Sequence, residues 1–350
     1  MIDEAVRGLF PGASGYLDTA SLGLPPQTAV EAMTAALAEW QAGMAEPPSY
    51  DAHVEAARSS YAEMVGVPVS QVAVGAQVSA LVAMAATLLE PGSRVLVPEG
   101  EFTSATFPFL SRADLGLEVV SAPLARLAEA MDTGTTLVSF SLVQSADGRV
   151  ADEAAIRAAA KATGALTLVD VTQAAGWLPF RAADYDVTVA GTYKWLLSPR
   201  GTAFMTVRPE LLERVTPLYA GWYAGEEPWE TIYGLPLRLA ADASRLDLSP
   251  AWLAWVGTTA SLALLNELGV EAIHAHDLRL TNLVREGLGL EPGESSMVSV
   301  ELAPDFDPAR LEGLRTAFRA GRLRAGFHLY STEADVQRLL AAIEDQIATP

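Results

Sequence analysis

The 350-residue sequence has no cysteine. It therefore makes no disulfide, no thiolate metal site and no cysteine nucleophile. Histidine is almost as scarce: the chain has only His53, His274, His276 and His328. His274 and His276, two residues apart, do not share a helix face, so both are expected at the surface and no catalytic zinc is expected. Basic residues are outnumbered, 23 against 43 acidic, which gives a net charge of −20. That is the wrong sign for a nucleic-acid backbone or an anionic membrane, and neither is expected as a partner. Long apolar runs are missing too: the most apolar helical stretch, Ala80 to Leu89, stops at Glu90-Pro91-Gly92, short of the roughly 20 residues a bilayer crossing takes. The start, Met1-Ile2-Asp3-Glu4, is acidic where a secretory signal is basic, so a cytoplasmic protein is expected. No G-x-G-x-x-G follows the first strand and no G-x-x-x-x-G-K-[ST] occurs, which weakens dinucleotide and P-loop readings.

Half of the residues are hydrophobic, enough for a sizeable core. Short Val- and Leu-rich runs alternate with Ala-rich stretches of helical period, which predicts an α/β fold with a mostly parallel open sheet flanked by helices. Strands are expected at Val72–Val74, Arg94–Pro98, Glu118–Ser121, Thr136–Phe140, Leu166–Val169, Val187–Ala190 and Thr202–Val207. Helices are expected at Gln27–Gly43, His53–Val65, Gln77–Leu89, Ser104–Gly116, Leu124–Met131, Asp152–Thr163, Ala251–Leu268 and Val270–Leu288. A tail of strand, helix, strand and helix (Met297–Leu302, Asp307–Phe318, Leu323–Tyr330, Glu333–Ile347) reads as a smaller C-terminal α+β domain. The implied division is an N-terminal segment 1–25, a large domain 26–250 and a small domain 251–350.

Open α/β sheets place ligands at the carboxyl ends of their strands. Asp170 ends one expected strand and Lys194 follows the next, so a carboxylate and an amine can converge there. Asp170 alone could equally be a strand-end cap, and Lys194 alone a solvated cation. Yet Lys194 is one of only two lysines, with Lys161, in a chain whose other basic residues are all Arg. Only Lys can become a neutral amine and form a Schiff base. The segment Val72-Ala73-Val74-Gly75-Ala76-Gln77-Val78-Ser79 reads as strand, glycine turn and helix start, whose free N–H groups suit a phosphate.

With these residues the chain resembles the class V aminotransferase family of fold-type-I pyridoxal-phosphate enzymes, the group of cysteine desulfurases, kynureninases and epimerase-like enzymes. The resemblance spans nearly the whole length. It is carried by Tyr16-Leu17-Asp18-Thr19-Ala20-Ser21, Glu101-Phe102-Thr103-Ser104, Val169-Asp170-Val171-Thr172-Gln173, Gly191-Thr192-Tyr193-Lys194-Trp195, Gly257-Thr258-Thr259, and Leu323-Arg324 through Tyr330-Ser331-Thr332.

The resemblance implies that Lys194 holds pyridoxal 5'-phosphate and acts as general base at the substrate α-carbon, and that Asp170 pairs with the pyridine nitrogen. Phe102 would stack on the ring, Gln173 would bond the ring oxygen, and Gln144 stands where the family has an asparagine beside the cofactor. Ala76, Gln77 and Thr192 would hold the phosphate, with Thr258 reaching it from the other subunit of a homodimer with a shared active site. Arg324 would grip the carboxylate of a small-molecule amino acid substrate. Transamination and lyase chemistry (β-elimination) both fit. Cysteine desulfuration is expected to be excluded, since the chain has no cysteine to accept sulfur. The alternatives are a catalytically silent protein of this fold that only binds, and a protein without the cofactor. Trp222, Tyr223, Trp229 and Tyr233 are expected to pack between domains rather than line a substrate pocket.

Overall fold

The computed structural model describes residues 2–347. Seven strands form the main sheet: β1 (Val72–Gly75), β2 (Arg94–Pro98), β3 (Glu118–Ala122), β4 (Thr135–Ser141), β5 (Leu166–Asp170), β6 (Val187–Gly191) and β7 (Ala203–Val207). Their order is β1-β7-β6-β5-β4-β2-β3. From β3 to β6 every pairing is parallel, whereas β7 runs antiparallel to both β6 and β1. The reversal follows from chain length: only residues 192–202 join β6 to β7, too few for the crossover a parallel return takes. Every residue of β1, β6 and β7 is buried, which is why these strands read as apolar runs rather than alternations.

The longer helices are α1 (Gln27–Gln41), α2 (Asp51–Val65), α3 (Val78–Ala85), α4 (Glu153–Thr163), α5 (Trp252–Leu268), α6 (Val270–Gly287) and α7 (Glu333–Ile343). Local signals fix their ends. The Asp152 carboxylate accepts the Ala155 N–H at the start of α4, and Gly164 stops that helix at φ 80°, a left-handed conformation that suits glycine. Helix α5 lies across α1 and α2. Among the described residues no single helix is long and apolar enough to cross a membrane.

Three expected helices break. Ser104–Gly116 keeps only a four-residue helix, Phe107–Leu110, with Pro108 in its first turn, before a second turn that ends at Gly116 with φ 58°. Leu124–Met131 keeps one 3-10 turn, Leu124–Arg126, yet still buries Leu124, Leu127 and Met131; the apolar spacing is satisfied without a continuous helix. Asp307–Phe318 becomes a 3-10 turn and then a strand, separated by Gly313 at φ 75°. The tail is thus a three-stranded antiparallel sheet of β8 (Met297–Val300), β9 (Ala317–Arg319) and β10 (Arg322–Gly326), in the order β8-β10-β9. Its apolar core takes Leu280 and Val284 from α6, Leu339 and Ile343 from α7, and Leu17 from the N-terminal segment.

That segment joins the two sheets. Tyr16 bridges to Arg315 and Asp18 to Gly326, and Gly23 N–H then donates to the Tyr193 carbonyl at 2.9 Å. A Cβ on Gly23 would sit 1.9 Å from the Lys194 carbonyl oxygen, so only glycine permits this approach.

Candidate active site

Lys194 lies in the connection from β6 to β7, at the carboxyl ends of β5 and β6, and is 5% exposed. Three neighbours hold its backbone. Gly23 abuts its carbonyl; Gly176, at φ 102°, leaves room for the Trp195 carbonyl; and His328 bonds that carbonyl through Nε2 at 3.0 Å. A carbonyl only accepts, so Nε2 carries the proton. The Nδ1 of His328 lies 3.1 Å from Oδ2 of buried Asp277 on α6. His276 is buried as well, with Nε2 3.1 Å from the Ser331 carbonyl, and His274 stacks on Trp177. The expected surface placement of that pair fails for His276, because α6 turns this side chain toward the small domain.

Burial lowers the Lys194 ammonium to about 8, with Asp170 opposing the shift and Arg324, Arg319 and Arg200 adding to it. Its Nζ lies 5.2 Å from the centre of the Phe102 ring and 5.7 Å from that of Tyr193. Asp170, at the end of β5, accepts the Thr172 N–H on Oδ1 at 2.8 Å, and its Oδ2 has no donor among the described residues. Burial raises its carboxyl above the ordinary range, while the Thr172 hydrogen bonds and Lys194 pull it back. The same pocket is lined by Ala76, Gln77, Phe102 and Gln173. Helix α3 starts there: Gln77 occupies its N-cap position and makes no side-chain cap, so the first-turn N–H groups remain available to an anion.

Other expected site residues stand elsewhere. Gln144 does not line the pocket; its Nε2 donates to Glu101 Oε2 at 3.0 Å, because glutamine reaches one carbon farther than asparagine. Glu101 also accepts from the Ser141 N–H and hydroxyl and from the Phe102 N–H, so Gln144 helps fix the turn that presents Phe102. Gln173 lines the pocket, but its amide is engaged: Nε2 donates to the Ala20 carbonyl and Ser145 Oγ, and Oε1 accepts the Trp195 indole N–H. Thr192 is turned inward, 2.5 Å from Thr202 Oγ1. Thr258 lies 3.0 Å from the same hydroxyl and is fully buried. Gly257-Thr258-Thr259 falls in the second turn of α5, where Gly257 and Thr258 are buried. Thr202 is the member of this hydroxyl chain that lines the pocket.

Arg200 and Ser145 line the pocket without having been singled out in the sequence. The Arg200 guanidinium lies 5.1 Å from the Tyr193 ring centre, and the Ser198-Pro199-Arg200-Gly201 turn behind the lysine was its only signal. Trp222 packs on Tyr223 and Trp229, and Asp51 accepts from both Tyr223 and Trp229, contacts that all fall within residues 26–250 rather than between the expected domains; Tyr233 is 90% exposed.

Arg324, on β10, is 1% exposed. It donates to the Ser145 carbonyl and to Ser21 Oγ (2.8 Å), and Asp18 lies 3.7 Å away. Its Nε is buried with no partner. Burial pulls the guanidinium down to about 10, against Asp18. An uncapped helix start, an open carboxylate oxygen, a neutralisable lysine and an unpartnered guanidinium N–H form the donor and acceptor set that pyridoxal phosphate and an amino acid carboxylate require. The residues present fit that cofactor.

Three similarities bear on the family. The isopenicillin N epimerase of Streptomyces clavuligerus is 28% identical, covering 98% of this chain and 96% of its own length. The cysteine desulfurase CsdA of Escherichia coli (strain K12) is 26% identical, with coverage of 97% and 96%. The apo structure of the cysteine desulfurase from Thermococcus onnurineus NA1 superposes with a TM-score of 0.85 at 20% identity, covering 99% of this chain and 98% of that one. These likenesses overturn the exclusion of a cysteine desulfurase drawn from the missing cysteine. The missing thiol removes a sulfur acceptor from this chain and leaves the chemistry at the substrate carbons untouched. Residues 15–304 match the family model "Aminotransferase class-V", and the chain belongs to that family.

Proposed function

We propose that this protein is a pyridoxal-phosphate-dependent enzyme that removes the α-proton of a small amino acid, leading to transamination or to β-elimination. The observation that carries the reading is Lys194: a buried amine lowered to about 8, at the carboxyl end of β6 and beside Asp170. A group that titrates near neutral pH is suited to take a proton and return it. When bound, pyridoxal phosphate supplies an electron sink for the charge left at the α-carbon.

The chain's own residues do the rest. Lys194 would hold the cofactor and move the α-proton at Nζ. Asp170 Oδ2 would accept the ring N–H and keep that nitrogen protonated. Phe102 would cover one face of the ring. The start of α3 with Ala76 and Gln77 would receive the phosphate, and Arg200 would add positive charge on that side. Arg324 would orient the substrate through its carboxylate, with Ser145 and Ser21 fixing the guanidinium. Elimination here includes cleavage of a C–S bond, in which the sulfur would leave with the bonding electrons as a thiolate and take up a proton, and the unsaturated product would hydrolyse to keto acid and ammonia. The reading includes a cytoplasmic homodimer, in which a second copy would cover Tyr233 and Leu235, exposed by 90% and 96%.

The test is borohydride reduction of the protein with added pyridoxal phosphate, followed by peptide mass mapping. The cofactor is expected on Lys194 and lost in Lys194→Ala; unchanged cofactor fixation in that variant would overturn the reading. With amino acid donors, keto acid released with ammonia marks elimination, and keto acid without ammonia marks transamination.

A further inference from the structure

We propose that Arg319 and Arg324 together form a two-arginine site for an amino acid whose side chain carries a second acidic group. The inference deepens the functional reading above and rests on it for the role of Arg324.

Strand register places the two arginines together. In the antiparallel pair β9–β10, Arg324 stands opposite Ala317 and Arg322 opposite Arg319. Residues two apart share a face, so Arg319 and Arg324 project from the same side of the hairpin, on a diagonal. Both guanidiniums converge on one hydroxyl: Arg324 Nη2 donates to Ser21 Oγ at 2.8 Å and Arg319 Nη2 to the same atom at 3.2 Å.

Charge makes this pairing unusual. The chain carries −20 overall, yet two cations share a single neutral oxygen. The carboxylate nearest to them is Asp18, 3.7 Å from Arg324. Among the described residues Arg319 forms no ion pair; its other hydrogen bond is to the Phe318 carbonyl. Buried Arg324 keeps an unpartnered Nε, whereas Arg319 is exposed at the rim. Arg324 meets the Lys194 pocket through the carbonyl of Ser145, which lines it, while Arg319 lines a second, more open cleft together with Asp18; both arginines also hold the Lys194 ammonium down. Two adjacent guanidiniums with one partial counter-charge are complementary to a dianion: the α-carboxylate on Arg324 and the side-chain acid on Arg319.

The experiment is calorimetric titration of the protein, purified with added pyridoxal phosphate, with glutarate and with butyrate. Glutarate is expected to bind about tenfold tighter. Arg319→Ala should erase that preference and leave butyrate unchanged; because Arg319 is exposed, folding is not at risk. Raising the salt concentration should narrow the preference, since the outer arginine is screened. Equal affinity for the two probes in the unmodified protein overturns the proposal, as does binding of neither. An equal loss of both in Arg319→Ala overturns it too, by assigning both arginines to one carboxylate. Borohydride mapping on the same preparation reports separately on Lys194: a cofactor absent from Lys194 sinks the enzyme reading, while a glutarate preference lost in Arg319→Ala still stands.

Discussion

Arg58 and Arg324 are both buried arginines with an aspartate partner, yet their surroundings differ in kind. Arg58, on α2, is saturated: it meets Asp247 at 2.6 and 3.2 Å, donates to the Val72 carbonyl at 2.7 Å and reaches Glu55. Asp247 in turn accepts the Val74 N–H, so this cluster pins β1 just ahead of the turn that leads into α3. Arg324 has a distant aspartate, a serine, one carbonyl and an Nε with no partner. Buried charge is tolerated when its hydrogen bonds are complete, and an incomplete set leaves donor capacity for a further partner. The saturated arginine has the bonding of a scaffold; the unsaturated one is the arginine proposed above to take a carboxylate.

The sharpest way to break this contrast is to remove the aspartate partner of the first arginine and the side chain of the second. Asp247→Ala leaves Arg58 charged in the core with the half-exposed Glu55 as its remaining counter-ion, and a loss of about 3 kcal/mol is expected in urea unfolding at neutral pH. A loss below about 1 kcal/mol would show that the cluster is not scaffold.

Arg324→Met should behave differently. It exchanges an incompletely paired buried charge for an apolar chain but strands Asp18 and the Ser145 carbonyl, so a loss smaller than that of Asp247→Ala, about 1–2 kcal/mol, is expected. Butyrate affinity should fall about a hundredfold, the order expected when one partner of a buried charge pair is truncated. A variant that lost stability but kept butyrate binding would reverse the two roles.

The sheet and the lysine were legible in the sequence for different reasons. Strands β4, β5 and β6 announce themselves because burial on both faces leaves runs of Val, Leu and Phe interrupted only by small hydroxyl residues before their ends. Lys194 stands out because lysine is so rare in this chain. The helix expected at Leu124–Met131 misled because apolar residues at helical spacing can be buried by successive turns. Gln144, Thr192 and Thr258 sit close to the cofactor motifs in sequence, but each hydroxyl or amide is drawn to a nearer buried partner. Local matching cannot register that competition. The Asp277–His328 contact and the meeting of Ser21 with Arg319 and Arg324 span 51 to 303 residues of chain and had no local signal.

The smallest effect joins the two arginines to the lysine. In the protein without cofactor, a neutral amine is needed to capture pyridoxal phosphate. The Lys194 ammonium is lowered to about 8, first by burial and then by Arg324, Arg319 and Arg200, with Asp170 opposing. The sign follows directly: below about 8 the amine is charged and capture is slow, and the rate rises with pH toward a plateau above it. Arg324→Met removes one of the cations that disfavour the charged form, so the midpoint should move up, by less than about one unit because burial remains the larger cause. Arg58 is absent from the groups acting on Lys194, so Arg58→Met, where it folds, should leave the midpoint in place. Stopped-flow absorbance of cofactor capture across pH 6 to about 10 measures all three proteins on one scale. A midpoint that moved equally in both variants would mean that general loosening, rather than the field of the unsaturated arginine, sets the state of the lysine.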